Sequence, residues 1–252
     1  MAGQAPGPAS QLPPMPWQLH QPPARAREPL TRDAIVDAAL RVLDAEGFDA
    51  LSMRRVAQEL HTGAASLYAH VTSKDQLVDL IIDRVYAEFQ VPDADPGHWQ
   101  DQLKDVARSG LRVMLLHPGL ARASLASIPM GPNGLTLTDR CLGILRAGGL
   151  PDHVVGYAAE LLGQYISVSA IEREATRERF DLDNPALIQD FSNQFRAYLQ
   201  SLPADQFPNL TAMAGPLTDM PDEDQRFELG LDILVRGLGC YAPRGTPAPP
   251  AT

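Results

Sequence analysis

Apolar residues at helical spacing recur through the chain between residues 31 and 241, and glycine or proline interrupts them at intervals. The first run, 31–46, places Ile35, Ala39 and Val42 on one face. Thr31 stands at its N-cap position, and Gly47 follows where a left-handed residue commonly ends a helix. Alternation of apolar and polar residues, which is typical of strands, is almost absent. The pattern predicts an all-α protein.

Glycine and proline residues divide the rest of the chain into further predicted helices. Ser52 and Ser73 are candidate N-caps, and Pro151 is well placed to open the longest helix. The predicted helices cover 31–46, 53–60, 64–70, 73–89, 99–116, 121–127, 135–146, 151–179, 185–199 and 222–241. Proline and glycine in 203–221 predict a loop there.

Both ends of the chain have the composition of disordered tails. The first 29 residues contain eight prolines and no periodic apolar pattern, so they bury too little surface to become ordered. A second proline-bearing tail covers 242–252. Arg25 and Arg27, in the first tail, are the densest positive charge near the N-terminus.

The composition restricts the classes of function and the cellular location that we expect. The formal net charge of −10 argues against a non-specific nucleic-acid coat, but it permits a specific DNA reader with a small footprint. We expect no membrane-spanning helix, because no run of about 18 apolar residues occurs. The N-terminus lacks a signal-peptide pattern, and Cys141 and Cys240 are interpreted as reduced thiols of a cytoplasmic protein.

Three short predicted helices, with a tight turn before the third, form the outline of a helix-turn-helix. The third helix would lie in the major groove of DNA, where small outward residues allow close approach of the backbone. Ala64, Ala65 and Ser66 meet that need, because alanine can contact a thymine methyl and serine can bond a base edge or phosphate. Leu67 and Val71 are spaced to face the core, which leaves Tyr68 and His70 near the groove.

Cations and hydroxyl groups of this region are candidates for contacts with the DNA backbone and bases. Ser73 and Lys74 begin the next predicted helix and are suited to phosphate. Arg54 has the geometry for a bidentate contact with guanine. On spacing alone, a generic αα-hairpin in which Tyr68 packs and Arg54 is merely solvated is an alternative.

The run LSMRRVAQELHTGAASLYAHVTSKDQLVDLI resembles the DNA-binding segment of the TetR family of regulators. The family's turn usually carries glycine followed by an aliphatic residue, and here His61-Thr62 stands in its place. The resemblance implies a set of DNA contacts, carried over position by position: Ser52, Arg54, Ala64, Ala65, Ser66, Tyr68, His70 and Lys74.

The resemblance extends over roughly residues 31–240 and is greatest to the tetracycline-repressor branch. LLGQYISVSAIEREA and FELGLDILVRGL are similar to segments of that branch's C-terminal domain. It implies a homodimer on a palindromic operator of double-stranded DNA, released by a small-molecule effector. The expected domains are a disordered tail (1–28), a helix-turn-helix head (29–76), a helical ligand-binding and dimerisation domain (77–241) and a second tail (242–252).

The predicted helix from Pro151 interleaves polar and apolar residues, as the wall of a ligand pocket does. Its candidate ligand-binding residues are Tyr157, Leu161, Gln164, Tyr165 and Val168, and neighbouring helices add Trp99, Arg112, Met114, His117, Met130 and Leu142. For any single aromatic residue or methionine in this set, plain core packing is the alternative. His117 lies about where tetracycline repressors bind magnesium. No convincing second ligand accompanies it, so we expect neither a metal nor another cofactor, and tetracycline is not the expected effector.

Two other functional classes are alternatives to a ligand-released repressor. Cys141 and His117 could form a nucleophile pair, but neither lies in a catalytic motif, so we expect no enzymatic activity. A transcriptional activator, or a DNA-binding protein of the same fold that a partner protein controls, is the second alternative. The sequence does not separate these from a repressor.

Overall fold

The computed structural model describes residues 29–179, 185–219 and 223–242. Within these ranges the regular structure is helical and no strand occurs, which confirms the predicted all-α fold. The predicted tails, 1–28 and 242–252, lie outside the described residues except for Ala242.

The described ranges contain twelve α-helices. In chain order they are α1 (Arg32–Glu46), α2 (Met53–Glu59), α3 (Ala64–Leu67), α4 (Lys74–Tyr86), α5 (Trp99–Leu116), α6 (Leu120–Ser124), α7 (Pro132–Ala147), α8 (Asp152–Arg179), α9 (Pro185–Gln200), α10 (Pro208–Ala212), α11 (Ala214–Thr218) and α12 (Glu223–Gly239). A short 3-10 turn, Phe48–Ala50, follows α1.

Helices α1 to α4 pack around one apolar core and form the head. Its fully buried side chains include Ile35, Leu43, Val56, Leu67 and Ile81. The N-caps predicted for α1, α2 and α4 are confirmed, because the hydroxyls of Thr31, Ser52 and Ser73 each accept a hydrogen bond from a backbone N–H three residues on. Each cap satisfies a donor that the first helical turn leaves unpaired.

Helices α5, α7, α8 and α12 surround a second core, which belongs to the larger C-terminal part of the protein. Tyr86 and Phe89, at and just beyond the end of α4, pack against both cores. Val113 of α5 and Leu120 of α6 are buried in the core of the head. The two parts therefore share apolar contacts, and α4 runs from one to the other.

The prediction of a loop over 203–221 was wrong, because this region contains the helices α10 and α11. Each has five residues, which is too short for a periodic apolar stripe to reveal it. These two helices pack against α9 and form an arm with it. Elsewhere the helix ends differ by a few residues: α7 begins at Pro132, and α3 and α4 end at Leu67 and Tyr86.

Helix α8 is an exception to the expectation that no helix is long and apolar enough to span a membrane. Among the described helices it is the one long and apolar enough to do so by length and composition, with a mean hydropathy of 1.3 over its most apolar 18 residues. A third of that window is buried, and Val155, Leu162 and Ile166 lie in the second core. We therefore assign α8 to the protein core.

Candidate DNA interface and ligand cavity

The turn between α2 and α3 is built around His61, whose φ of 51° is left-handed. The His61 N–H donates to Gln58 O at 3.0 Å, and the Thr62 N–H donates to Ala57 O at 2.9 Å. This pair of bonds is the Schellman motif, in which the left-handed position is usually glycine. His61 thus occupies the left-handed position of this turn, where the sequence resemblance implies a glycine.

Helix α3 faces the core with Leu67 and presents its other side to solvent. Leu67 and the following Val71 are fully buried, as predicted from their spacing. Ala65, Ser66 and Tyr68 are exposed, while Ala64 and His70 are partly buried. The small side chains therefore lie on the surface where a DNA backbone and base edges could approach closely.

Two consecutive arginines at the start of α2 differ in their electrostatic partners. Arg55 donates to Glu46 at 2.6 Å and to Glu59 at 3.1 Å, so its charge is neutralised within the head. Arg54 is exposed and forms no ion pair with the residues that the structure describes. It is therefore free to meet DNA. Ser52 lies beside it, with its hydroxyl oxygen accepting from the Arg55 N–H.

Lys74 lies at the first position of α4, and its Nζ is 5.4 Å from the centre of the Phe48 ring. This cation–π contact holds the exposed ammonium group at the surface of the head. The eight predicted DNA-contact residues thus lie at the N-cap and start of α2, in α3 and the turn after it, and at the start of α4. The structure brings them together in the head, and their contacts with DNA remain predictions.

A cavity of about 630 Å³ lies in the C-terminal part, between the end of α4 and helices α5, α7 and α8. That volume is within the range of about 300–1,000 Å³ that small-molecule pockets occupy. Three of the predicted ligand residues, Met114, Leu142 and Gln164, line it. The segment that connects α6 with α7 closes one side, with Ser127, Ile128 and Pro129.

The polar groups of the cavity are mostly neutral hydrogen-bonding groups. Ser124 and Ser167 are buried with their hydroxyl oxygens 3.2 Å apart. Burial, and after it the charge of Asp83, raises the pKa of the Tyr86 hydroxyl. Burial raises the pKa of the Cys141 thiol to about 11, so this side chain is a neutral thiol at physiological pH. The one charged lining residue in the described structure is Glu160, which accepts from Gln164 Nε2 at 2.9 Å.

Two aromatic residues predicted to bind ligand pack elsewhere. Trp99 is buried in the second core against Gly148, where a side chain would collide with the indole. Tyr165 stacks on Phe227 of α12, with ring centroids 5.3 Å apart, and its hydroxyl donates to Phe227 O at 2.7 Å. Gly230 of α12 packs closely against the Tyr165 ring within the same protomer. Both aromatic residues thus serve α-helix packing.

His117 lies outside the cavity, at the end of α5, where it contacts the head. Its Nδ1 is 2.7 Å from Asp44 Oδ1 of α1, and its Nε2 is 3.4 Å from Glu88 Oε2. Within the described residues no group of three or more His, Cys, Asp and Glu side chains is arranged to hold a metal ion. His117 therefore connects the C-terminal part of the protein with α1 of the head.

The remaining predicted ligand residues do not line the cavity. Tyr157, Val168 and Met130 are exposed, and Leu161 is partly buried. Arg112 lines a second, more open cavity of about 610 Å³, beside Arg108 and Arg140. Those two arginines are ion-paired with Glu228 and Asp93 respectively, at 2.7 Å and 2.9 Å.

Several residues that shape the cavity were absent from the sequence-based set. They are Tyr86, Phe89, Ser124, Ser127, Ile128, Pro129, Thr138, Cys141, Glu160 and Ser167. One signal in the sequence could have revealed the wall: α8 carries the small residues Gly156, Ala159 and Gly163 along the face that lines the cavity. Small side chains on one helix face leave room for a ligand, as they do for a neighbouring helix.

The head and the cavity together define a class of protein, a DNA-binding transcriptional regulator that responds to a ligand. Comparison with known families agrees. Residues 35–81 match the family described as bacterial regulatory proteins, tetR family, and residues 91–240 match the tetracyclin repressor-like C-terminal domain. The chain belongs to the tetR family, in its tetracycline-repressor-like branch, as the sequence resemblance predicted.

Individual relatives extend over most of the chain. ActR from Streptomyces coelicolor, solved in complex with actinorhodin, is 46% identical, with a TM-score of 0.77 over 86% of this chain and 99% of that one. The HTH-type transcriptional repressor DrrR1 of Streptomyces coeruleorubidus is 32% identical over 88% of this chain and 82% of its own length. The class D tetracycline repressor protein of Escherichia coli is 26% identical, over 83% of this chain and 89% of its own.

Proposed function

We propose that the protein binds a palindromic operator as a homodimer, with α3 in the major groove, and that a small molecule in the cavity between α4, α5, α7 and α8 releases it. The observation that carries the proposal is the position of α4. Its first residue, Lys74, lies in the head, whereas Tyr86 at its last turn and Phe89 just beyond line the cavity. A ligand that moves the end of α4 therefore also moves the head.

Exposed apolar side chains support the homodimer. Leu229 and Ile233 of α12 are each more than half exposed in the single protomer, and so is Tyr157 of α8. The arm formed by α9 to α11 exposes a further apolar set, which includes Leu187, Phe191, Phe195 and Tyr198. Patches of this kind commonly mark protein–protein interfaces. A two-fold dimer would present two α3 helices about 34–36 Å apart, one DNA turn, which requires a palindromic site.

The chemistry of the cavity supports a bulky, largely apolar effector with several hydrogen-bonding groups. Its wall offers the hydroxyls of Ser124, Ser127 and Thr138 and the amide of Gln164 among apolar side chains. ActR has been solved in complex with actinorhodin and with (S)-DNPA. We therefore infer that an effector of the size and type of actinorhodin fits here, and that the protein acts as a cytoplasmic repressor.

Release follows from a change in the spacing of the two α3 helices of the dimer. When ligand occupies the cavity, α4 swings and the two α3 helices no longer match successive major grooves. A coupling free energy of about 1–3 kcal/mol would change operator affinity about 5- to 150-fold. The proposal therefore requires only a modest difference between the ligand's affinities for the DNA-bound and the DNA-free protein.

Selection of bound duplexes from a random DNA pool tests the DNA half of the proposal. We expect a palindrome whose half-sites are about one DNA turn apart. Titration of that complex with actinorhodin, with tetracycline as the comparison compound, then tests control by ligand. Selection of no duplex, or of sites without two-fold symmetry, would refute the homodimeric operator. A ligand that binds tightly and leaves DNA affinity unchanged would refute release.

A further inference from the structure

The carboxylate of Asp83, in α4, caps a helix that belongs to a different part of the protein. Its Oδ1 accepts from the backbone N–H of Gly134 at 2.9 Å and of Asn133 at 3.1 Å. These are free donors of the first turn of α7, next to Pro132, which has no N–H. Gly131, at the N-cap position, makes no side-chain cap, and a side chain there would collide with the Asp83 carboxylate. Asp83 therefore supplies the cap that α7 lacks.

The segment just before α7 is the part of the cavity wall that α4 holds. Ser127, Ile128 and Pro129 line the cavity. The Ser127 hydroxyl donates to Asp79 Oδ1 at 3.0 Å, one turn before Asp83 on the same helix. Two carboxylates of α4 therefore hold both ends of the segment 127–134.

The next residue of α4 makes the opposite connection, to the head. Arg84 donates to Asp37 at 2.7 Å and to Asp33 at 2.8 Å, both in α1. Successive residues of a helix point about 100° apart, so one turn of α4 can contact both parts of the protein. Charge-assisted hydrogen bonds are directional and stronger than neutral ones, and they fix the position of α4 relative to both neighbours.

We propose that Asp83 is the positioning residue through which the cavity wall sets the orientation of α4, and that Arg84 carries this orientation to α1. Displacement of the segment 127–134 by a ligand pulls the α7 N-terminus and, with it, α4. In the reverse direction, DNA bound to the head alters the mobility of that segment, because thermodynamic coupling between two sites is reciprocal. The inference rests on the proposed function, since it concerns the coupling of its two sites.

Hydrogen–deuterium exchange on the full chain tests the inference without a known effector. The probe is the duplex selected from the random pool, added in saturating amount. In the unmodified protein we expect this duplex to change the exchange rate of the segment 127–134 by about fivefold or more, at the lower end of typical allosteric couplings. In Asp83→Ala we expect the change to fall below about twofold, while operator affinity stays within about threefold.

Matched variants separate coupling from mere structural damage. Asp139→Ala removes an exposed carboxylate from α7 itself and should keep the full response. Asp83→Asn keeps an oxygen that can accept from Gly134 and should retain most of the response. Should Asp83→Ala fail to fold, Asp83→Ser gives the same comparison, because its hydroxyl is too short to cap α7.

The outcomes distinguish the inference from the proposed function. An unchanged exchange response in Asp83→Ala and Asp83→Ser, or no response in the unmodified protein, overturns the role of Asp83 and leaves DNA binding intact. Selection of no duplex at all would refute both the proposed function and the role of Asp83. Loss of the response in Asp83→Ala with its retention in Asp83→Asn and Asp139→Ala supports the role of Asp83.

Discussion

His117 Nδ1 lies 2.7 Å from Asp44 Oδ1, so a buried imidazole at the end of α5 is bonded to α1 of the head. Glu88 faces the other ring nitrogen at 3.4 Å. The contact joins the two parts of the protein through residues other than those that Asp83 and Arg84 contact. Its strength should therefore appear as a coupling between two residues that are 73 positions apart in the sequence.

A double-mutant cycle on this pair should give a non-additive loss of stability. His117→Ala removes a buried hydrogen-bonding group, and we expect it to lower the free energy of unfolding by about 1–3 kcal/mol in urea titrations. In the Asp44→Ala background the same change should cost about 1 kcal/mol less. His153→Ala, at an exposed position of α8, is the control and should have almost no effect. Strictly additive losses would contradict an energetic link between His117 and Asp44.

The two arginines of α2 should have separable roles. Arg54→Ala should weaken operator binding about 5- to 150-fold, the range expected for loss of a bidentate base contact of about 1–3 kcal/mol, and leave the melting temperature unchanged. Arg55→Ala should lower the melting temperature slightly, because Glu46 loses its partner at the protein surface and Glu59 keeps only Arg41. Fluorescence anisotropy with the selected duplex and thermal unfolding measure the two effects. The reverse assignment would show that Arg54 is structural.

Gly110 of α5 gives the Phe89 ring its place beside the cavity. A Cβ at position 110 would lie 2.5 Å from Phe89 Cε1 and 3.1 Å from Ile166 Cδ1. Gly110→Ala should therefore displace Phe89, destabilise the protein by about 1–3 kcal/mol and weaken ligand binding. The matched control is Gly143→Ala, a helical glycine of α7 with nothing within 4 Å, which should be neutral or stabilising by up to about 1 kcal/mol. Equal effects of the two substitutions would argue against a specific role for Gly110.

The two cysteines should react with thiol reagents at very different rates. Cys240 is exposed, whereas burial raises the pKa of Cys141 to about 11. At pH 8 the Cys141 side chain is almost wholly protonated, and the thiolate is the reactive form. We expect one rapidly labelled thiol per chain with a disulfide reagent at pH 8, and none in Cys240→Ser until the protein is unfolded. Fast labelling of Cys240→Ser would show that Cys141 is accessible through the cavity.

His61 should carry a measurable conformational cost at its φ of 51°. A left-handed conformation costs roughly 1–2 kcal/mol for a residue with a Cβ and almost nothing for glycine. His61→Gly should therefore be about 1 kcal/mol more stable than His61→Ala, since both variants lack the imidazole and differ in the Cβ. Urea unfolding of the two variants measures the difference. Equal stabilities would mean that the turn relaxes out of the left-handed conformation.

Much of the head could be predicted from the sequence, because its information is local. Caps such as Ser52 and Ser73 act within one helical turn, and Leu67 and Val71 reveal the buried side of α3 by their spacing. The family resemblance added the DNA-contact positions. The same local rules identify the long helices, although they miss α10 and α11, which are a single turn each.

The cavity wall depends on which helix faces lie opposite each other, and spacing along one helix does not contain that information. Tyr165 and Gln164 are neighbours on α8, yet Gln164 lines the cavity and Tyr165 stacks on α12. Asp83 caps a helix that begins 49 residues later, and His117 bonds to Asp44 of the head. Local propensity and periodicity therefore determine the helices and the head. The tertiary packing alone decides the cavity and the links to the head, because those contacts join residues that are distant in the chain.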